Sequence, residues 1–135
     1  AQEVEEFRAA YVRNFILADR EPCKMFVGVD DSLRALKAAG HDLCVATGKS
    51  RRGLDRVFSG LPISSLFSAS RCADETASKP NPMMLDQLCA ERGVVPESAL
   101  MVGDTEYDLG LLSYCLWSKV CVRCFAWFKV VGSSR

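Results

Sequence analysis

Residues 42–54, Asp-Leu-Cys-Val-Ala-Thr-Gly-Lys-Ser-Arg-Arg-Gly-Leu, hold the key to the fold. The run from Asp42 to Ala46 is short, apolar and rich in β-favouring residues, so it reads as a buried strand. It stops at Thr47-Gly48, and a helical stretch follows from Ser50 to Phe58. The pattern returns downstream. Leu66-Phe-Ser-Ala-Ser70 reads as a strand before a polar loop, Pro82 opens a helix through Cys89, and Ala99-Leu-Met-Val102 reads as the next strand. Upstream, Asp30 is expected to cap a helix over Ser32 to Ala39, closed by Gly40. Val4, Phe7, Ala10, Tyr11 and Phe15 recur at helical spacing, with acids in the first turn and a break at Glu21-Pro22. Alternating strands and helices predict an α/β fold: a Rossmann-like parallel sheet with helices on both faces. Ligands of such sheets bind beyond the carboxyl ends of the strands, where Thr47 and Asp104 both fall.

The chain has 135 residues, the size of one domain of roughly 100 to 150 residues. Its 49% hydrophobic and 25% charged residues are ordinary for a globular protein and exclude a disordered one. Lys plus Arg and Asp plus Glu both count 17, so no overall field draws nucleic acid or an anionic membrane. No apolar run reaches the ~20 residues of a spanning helix, and the acidic stretch Ala1 to Arg8 is unlike a signal peptide. A cytoplasmic protein without nucleic-acid or membrane partners is expected. The seven cysteines lack a disulfide framework and read as reduced, mostly buried thiols. Cys121 and Cys124 form a C-x-x-C, but there is no second such pair, and His41 is the only histidine to complete four zinc ligands.

Three places carry residues suited to phosphate chemistry. Thr47-Gly48 offers a hydroxyl and an amide at a helix start, where unpaired N–H groups favour anions; a plain threonine cap would look the same. Lys79, in the loop Ser78-Lys-Pro80, is a compact cation able to neutralise phosphate, although most loop lysines simply face solvent. Gly103-Asp-Thr-Glu-Tyr-Asp108 follows a strand and opens a helix, so Asp104 and Asp108 stand where a hard cation, best magnesium, would sit; acids also cap helices there. Lys49, Arg51 and Arg52 read as a solvated face rather than as site residues.

Taken in order, Thr47-Gly48 after a strand, Lys79-Pro80 in a loop, and Gly103-Asp104 with Asp108 after a strand resemble three motifs of the haloacid dehalogenase superfamily. The closer resemblance, over roughly Phe26 to Leu109, is to its phosphoglycolate phosphatase-like members of subfamily IA. It rests on Ala46-Thr-Gly-Lys-Ser-Arg-Arg-Gly-Leu54, Ser78-Lys-Pro-Asn-Pro82 and Val102-Gly-Asp-Thr-Glu-Tyr-Asp-Leu109. The resemblance implies a magnesium-dependent phosphatase of small phosphorylated metabolites. Thr47 and the Gly48 amide would hold the phosphoryl group, Lys79 would stabilise the nucleophile and the transition-state charge, and Asp104, with Asp108 in support, would bind Mg²⁺.

Two departures from the family pattern stand out. The family's nucleophile is the first aspartate of a D-x-D motif, and this sequence contains no D-x-D; Asp30-Asp31 are adjacent acids before a helix. The chain is therefore expected to start inside the helical cap, with residues 1–20 a cap remnant and 21–135 an incomplete core, and to be inactive by itself. The missing strand is expected to leave two buried edges unpaired. Beyond Leu109 the sequence is bulkier than in relatives. Lys119 to Phe125 remains a strand candidate, Trp127-Phe128 and Val130-Val131 are expected to be exposed, and the tail from Gly132 to Arg135 is expected to fray. A non-catalytic phosphate- and magnesium-binding module, a phosphomutase and a dehalogenase remain as alternatives.

Overall fold

The computed structural model describes residues 2–18, 24–103, 120–121 and 129–133. Helices α1 (Gln2–Ala18) and α2 (Val29–Ala38) precede strand β1 (His41–Ala46), which is followed by α3 (Arg51–Gly60). Then come a 3₁₀ turn (Ser64–Leu66), β2 (Phe67–Arg71), α4 (Met83–Arg92) and a second 3₁₀ turn (Pro96–Ser98). Three strands, β3 (Met101–Val102), β4 (Val120–Cys121) and β5 (Lys129–Ser133), complete the described chain.

The period-two pattern of β1 builds the core on both sides of the sheet. Cys44 and Ala46 face Met84, Leu85, Leu88 and Cys89 of α4, with Ala99 and Met101 beside them. Leu43 points the other way, against Leu33 of α2 and Ile63, and Val45 packs with Leu54 of α3 and Cys72. Both faces of β1 are covered, which is why the strand reads as one unbroken apolar run. Phe58 and Phe67 stack at a centroid distance of 5.7 Å and tie α3 to β2.

β1 and β2 pair in parallel, as the strand-helix alternation predicts, and so do β3 and β4. β5 departs from the expected all-parallel sheet. It runs antiparallel along β1, with Cys44 opposite Lys129 and Leu43 opposite Val130, giving the order β2-β1-β5. It also lies against β3. The edge of β1 expected to be unpaired is thus hydrogen-bonded, and Gly132-Ser133 belong to a strand where fraying was expected. Trp127 and Phe128 lie outside the described residues.

The start of α2 also differs from expectation. Gly28, not Asp30, occupies the cap, at φ +83°, a conformation that costs glycine little. Its carbonyl accepts hydrogen bonds from Ser32 N (3.0 Å) and Ser32 Oγ (2.7 Å). Asp30 sits within the first turn and receives Arg34 Nε at 2.9 Å, an (i, i+4) pair. α4 begins after Pro82 as expected but continues past Cys89 to Arg92. The apolar residues Val4, Phe7 and Tyr11 of α1 are exposed, so its periodicity marks a helix face that the described residues leave uncovered.

Candidate functional site

Thr47 follows the last residue of β1 and is the one polar side chain buried among the described residues, 6% exposed. Its amide donates to Arg71 O at 3.0 Å, extending the β1–β2 ladder by one rung. Its hydroxyl oxygen accepts the Lys49 amide at 3.1 Å, which leaves the hydroxyl proton available to an acceptor. Gly48 is exposed, and a Cβ added there would meet nothing within 4 Å. The backbone at Gly48 can therefore be approached closely.

The helix starts after Ser50 as expected, but its cap is Ser50 rather than Thr47. Ser50 caps α3, accepting Gly53 N at 3.2 Å, and Asp74 takes the Arg51 amide on both carboxylate oxygens, at 2.9 and 3.1 Å. These donors and the positive end of the α3 dipole are already engaged. What the turn offers an anion is thus the Thr47 hydroxyl and the Gly48 amide, rather than the first turn of α3.

Arg51 corrects the expectation of a solvated basic face. Its Nε and Nη2 each donate at 2.7 Å to the two carboxylate oxygens of Glu75, a bidentate fork, and its Nη1 reaches Ser70 Oγ at 2.9 Å. Glu75 also accepts the Cys72 amide at 2.9 Å. The hydrogen bonds from Arg51 outweigh burial and hold the Glu75 carboxyl down at about 2. Burial pushes the thiols of Cys44 and Cys72 up to about 11, so they stay protonated; Cys44, Cys72 and Cys89 are free and buried, as expected.

Lys79 is half-buried in the loop that leaves the carboxyl end of β2, the same end of the sheet as Thr47. A turn with Asn81 N donating to Ser78 O at 3.1 Å surrounds it, and the Lys79–Pro80 peptide is cis. Asp104 and Asp108 lie outside the described residues; Gly103, just before them, is buried behind β3. Among the described residues no group of three His, Cys, Asp or Glu side chains converges as a metal site. Nor is any described helix long and apolar enough to cross a membrane.

A separate polar cleft of about 330 Å³ opens at the other end of β1, lined by Lys37, His41, Asp42, Ser68 and Arg92. Asp42 accepts from Ser68 Oγ and from Arg92 Nε, with Lys37 Nζ at 3.9 Å, and Lys37 also donates to Ser68 Oγ at 3.2 Å. These groups satisfy one another. No residue expected to act on a substrate lies there.

Strands flanked by helices on both faces, with a threonine-glycine turn and a lysine loop at one end, define a Rossmann-like α/β domain. More narrowly, the chain belongs to the haloacid dehalogenase-like hydrolase family, whose pattern matches residues 1–110. A phosphoglycolate phosphatase of Mannheimia succiniciproducens is 33% identical over 110 residues, covering 81% of this chain and 47% of that protein. The crystal structure of a predicted phosphoglycolate phosphatase from Haemophilus somnus 129PT superposes with a TM-score of 0.67 at 28% identity, covering 71% of this chain and 43% of that one. A subfamily IA hydrolase from Geobacter sulfurreducens PCA gives 0.65 at 29% identity, covering 70% and 49%. The chain spans about half the length of the curated relatives it matches. Residues 111–135, which include β4 and β5, lie beyond the family match.

Proposed function

We propose that this chain supplies the phosphoryl-holding side of a magnesium-dependent phosphatase of small phosphomonoesters, phosphoglycolate being the leading candidate. The observation that carries this is Thr47: a buried hydroxyl fixed at a strand end, its oxygen engaged by the Lys49 amide and its proton left to donate beside open space over Gly48. The Thr47 hydroxyl and Gly48 amide bind two phosphoryl oxygens. Lys79 enters from its loop to neutralise the charge that builds up on the transferring group, the term that dominates phosphoryl transfer.

Asp104 and Asp108 offer oxygen donors of the kind magnesium prefers, and the ion when bound would offset repulsion between the nucleophile and the phosphate. The nucleophile itself is an aspartate of a D-x-D segment that these 135 residues do not contain, and it forms an aspartyl-phosphate in the intact enzyme. Residues 1–20 belong to the helical cap and 21–135 to the core, and the protein works in the cytoplasm. A second reading, a phosphate-binding module without turnover, would rest on the same Thr47–Gly48 turn.

The test is hydrolysis of a generic phosphomonoester with magnesium by this chain and by the chain extended with an N-terminal D-x-D segment. Turnover by the extended protein alone, abolished by Asp104→Asn, is the expected result. Turnover by the bare chain would overturn the assignment of the nucleophile. Phosphate binding without turnover in either form would favour the binding module.

A further inference from the structure

Two loops meet at the carboxyl end of the β1–β2 pair, and backbone hydrogen bonds alone do not join them. From the first, Thr47 N donates to Arg71 O (3.0 Å) and Arg51 N to the Asp74 carboxylate (2.9 and 3.1 Å); from the second, Ala73 N donates to Lys49 O (3.0 Å). Across the junction lies the Arg51–Glu75 fork, with both nitrogen-oxygen distances at 2.7 Å. Glu75 in turn holds the Cys72 amide at 2.9 Å, and Arg51 holds Ser70 at both Oγ (2.9 Å) and O (3.4 Å). With Asp55 a further 3.7 Å from Nη1, every guanidinium nitrogen faces a protein acceptor, although the side chain remains 35% exposed.

We propose that Arg51 and Glu75 are positioning residues: their fork locks the loop over Cys72–Glu75 against the Thr47–Ser50 turn and so sets where the Thr47 hydroxyl and Gly48 amide point. This rests on the assignment of that turn as the phosphoryl site. The fork suits the task because its planar, two-pronged geometry fixes orientation as well as distance. A single lysine ammonium at position 51 would keep the charge and lose the angle. Misplacement of a binding group by a fraction of an ångström costs affinity even where the fold survives.

The experiment titrates inorganic phosphate into the full ¹⁵N-labelled chain and follows the Gly48 amide resonance, which reports folded molecules only, well below the melting temperature. The unsubstituted chain should show a saturable shift at Gly48 that Thr47→Ala removes. Glu75→Gln and Arg51→Lys should each weaken phosphate binding about tenfold, a change of about 1.4 kcal/mol, while the rest of the spectrum stays native. Arg51→Lys is the milder change and serves if Glu75→Gln does not fold. Wild-type affinity at Gly48 in both variants would overturn the positioning role and leave the phosphoryl site standing. A chain without any phosphate response at Gly48 would instead remove the site and the positioning role with it.

Discussion

The two ends of β1 use the same chemistry for different purposes. At the amino end Asp42 is held by Arg92, Ser68 and Lys37; at the carboxyl end Glu75 is held by Arg51 and the Cys72 amide. The difference lies in what surrounds each carboxylate. α2 and α4 finish at the amino end, and Lys37 and Arg92 in their last turns complement the negative ends of those helices. That cluster is complete in itself. At the carboxyl end α3 begins, its first turn is met by Ser50 and Asp74, and the Arg51–Glu75 pair braces a turn that holds the buried Thr47 hydroxyl beside the exposed Gly48. Ion pairs of equal quality can close one end of a sheet and leave the other ready for a ligand.

The comparison can be broken most sharply at Asp42. Asp42→Ala removes the acceptor shared by Arg92 and Ser68, and the loss should be about 1.5–3 kcal/mol of stability, the scale of hydrogen bonds to a charged group, read from urea denaturation. Phosphate affinity at Gly48 should not change. A loss of affinity with intact stability would mean that the two ends are coupled.

Acid comes next in expected effect. Burial works to raise the Asp42 carboxyl, but hydrogen bonds from Ser68 and Arg92 and the charges of Arg92 and Lys37 outweigh it, so it lies below its ordinary value, as does that of Glu75. A carboxyl lowered on folding adds stability above its unfolded value and loses it as pH falls toward the folded one. For Glu75 that window runs from 4.5 down to about 2. Thermal melts should show stability falling through this range, and Glu75→Gln should flatten the fall. An unchanged acid limb in that variant would mean that the fork does not persist in solution.

The smallest effect is expected at the cap. Ser50→Ala frees the Gly53 amide and should cost about 1 kcal/mol in denaturant melts. Because Ser50 adjoins the phosphoryl turn, a modest loss of phosphate affinity should accompany it, well short of that in Arg51→Lys. An affinity loss equal to that variant's would show that the cap, rather than the fork, sets the turn.

How far the sequence reveals this architecture depends on how local the cause is. The unit from Asp42 to Phe58 is legible because an apolar strand, a threonine-glycine turn and a helical stretch are neighbours in the chain, although the cap is Ser50 rather than Thr47. Pro82 announced α4 for the same reason. Arg51 and Glu75 stand 24 positions apart with no periodicity to link them, and on a helix whose exposed face is basic an arginine looks solvated until its partner is placed. Asp30 was misplaced by two residues because Gly28, through its left-handed backbone, starts α2 without a side-chain cap. For Asp104 and Asp108 the pattern of residues remains the whole basis, since they lie outside the described structure.

The antiparallel strand along β1 bears on the order in which the chain is made. Cys44 pairs with Lys129, about 85 residues further on, whereas β2 follows β1 after one helix. At about 5–20 residues per second, a ribosome would need roughly ten seconds between completing β1 and completing the strand that closes its second edge. For these 135 residues the second edge of β1 stays without β5 through that interval, and what shields that edge meanwhile bears on how much native protein is recovered.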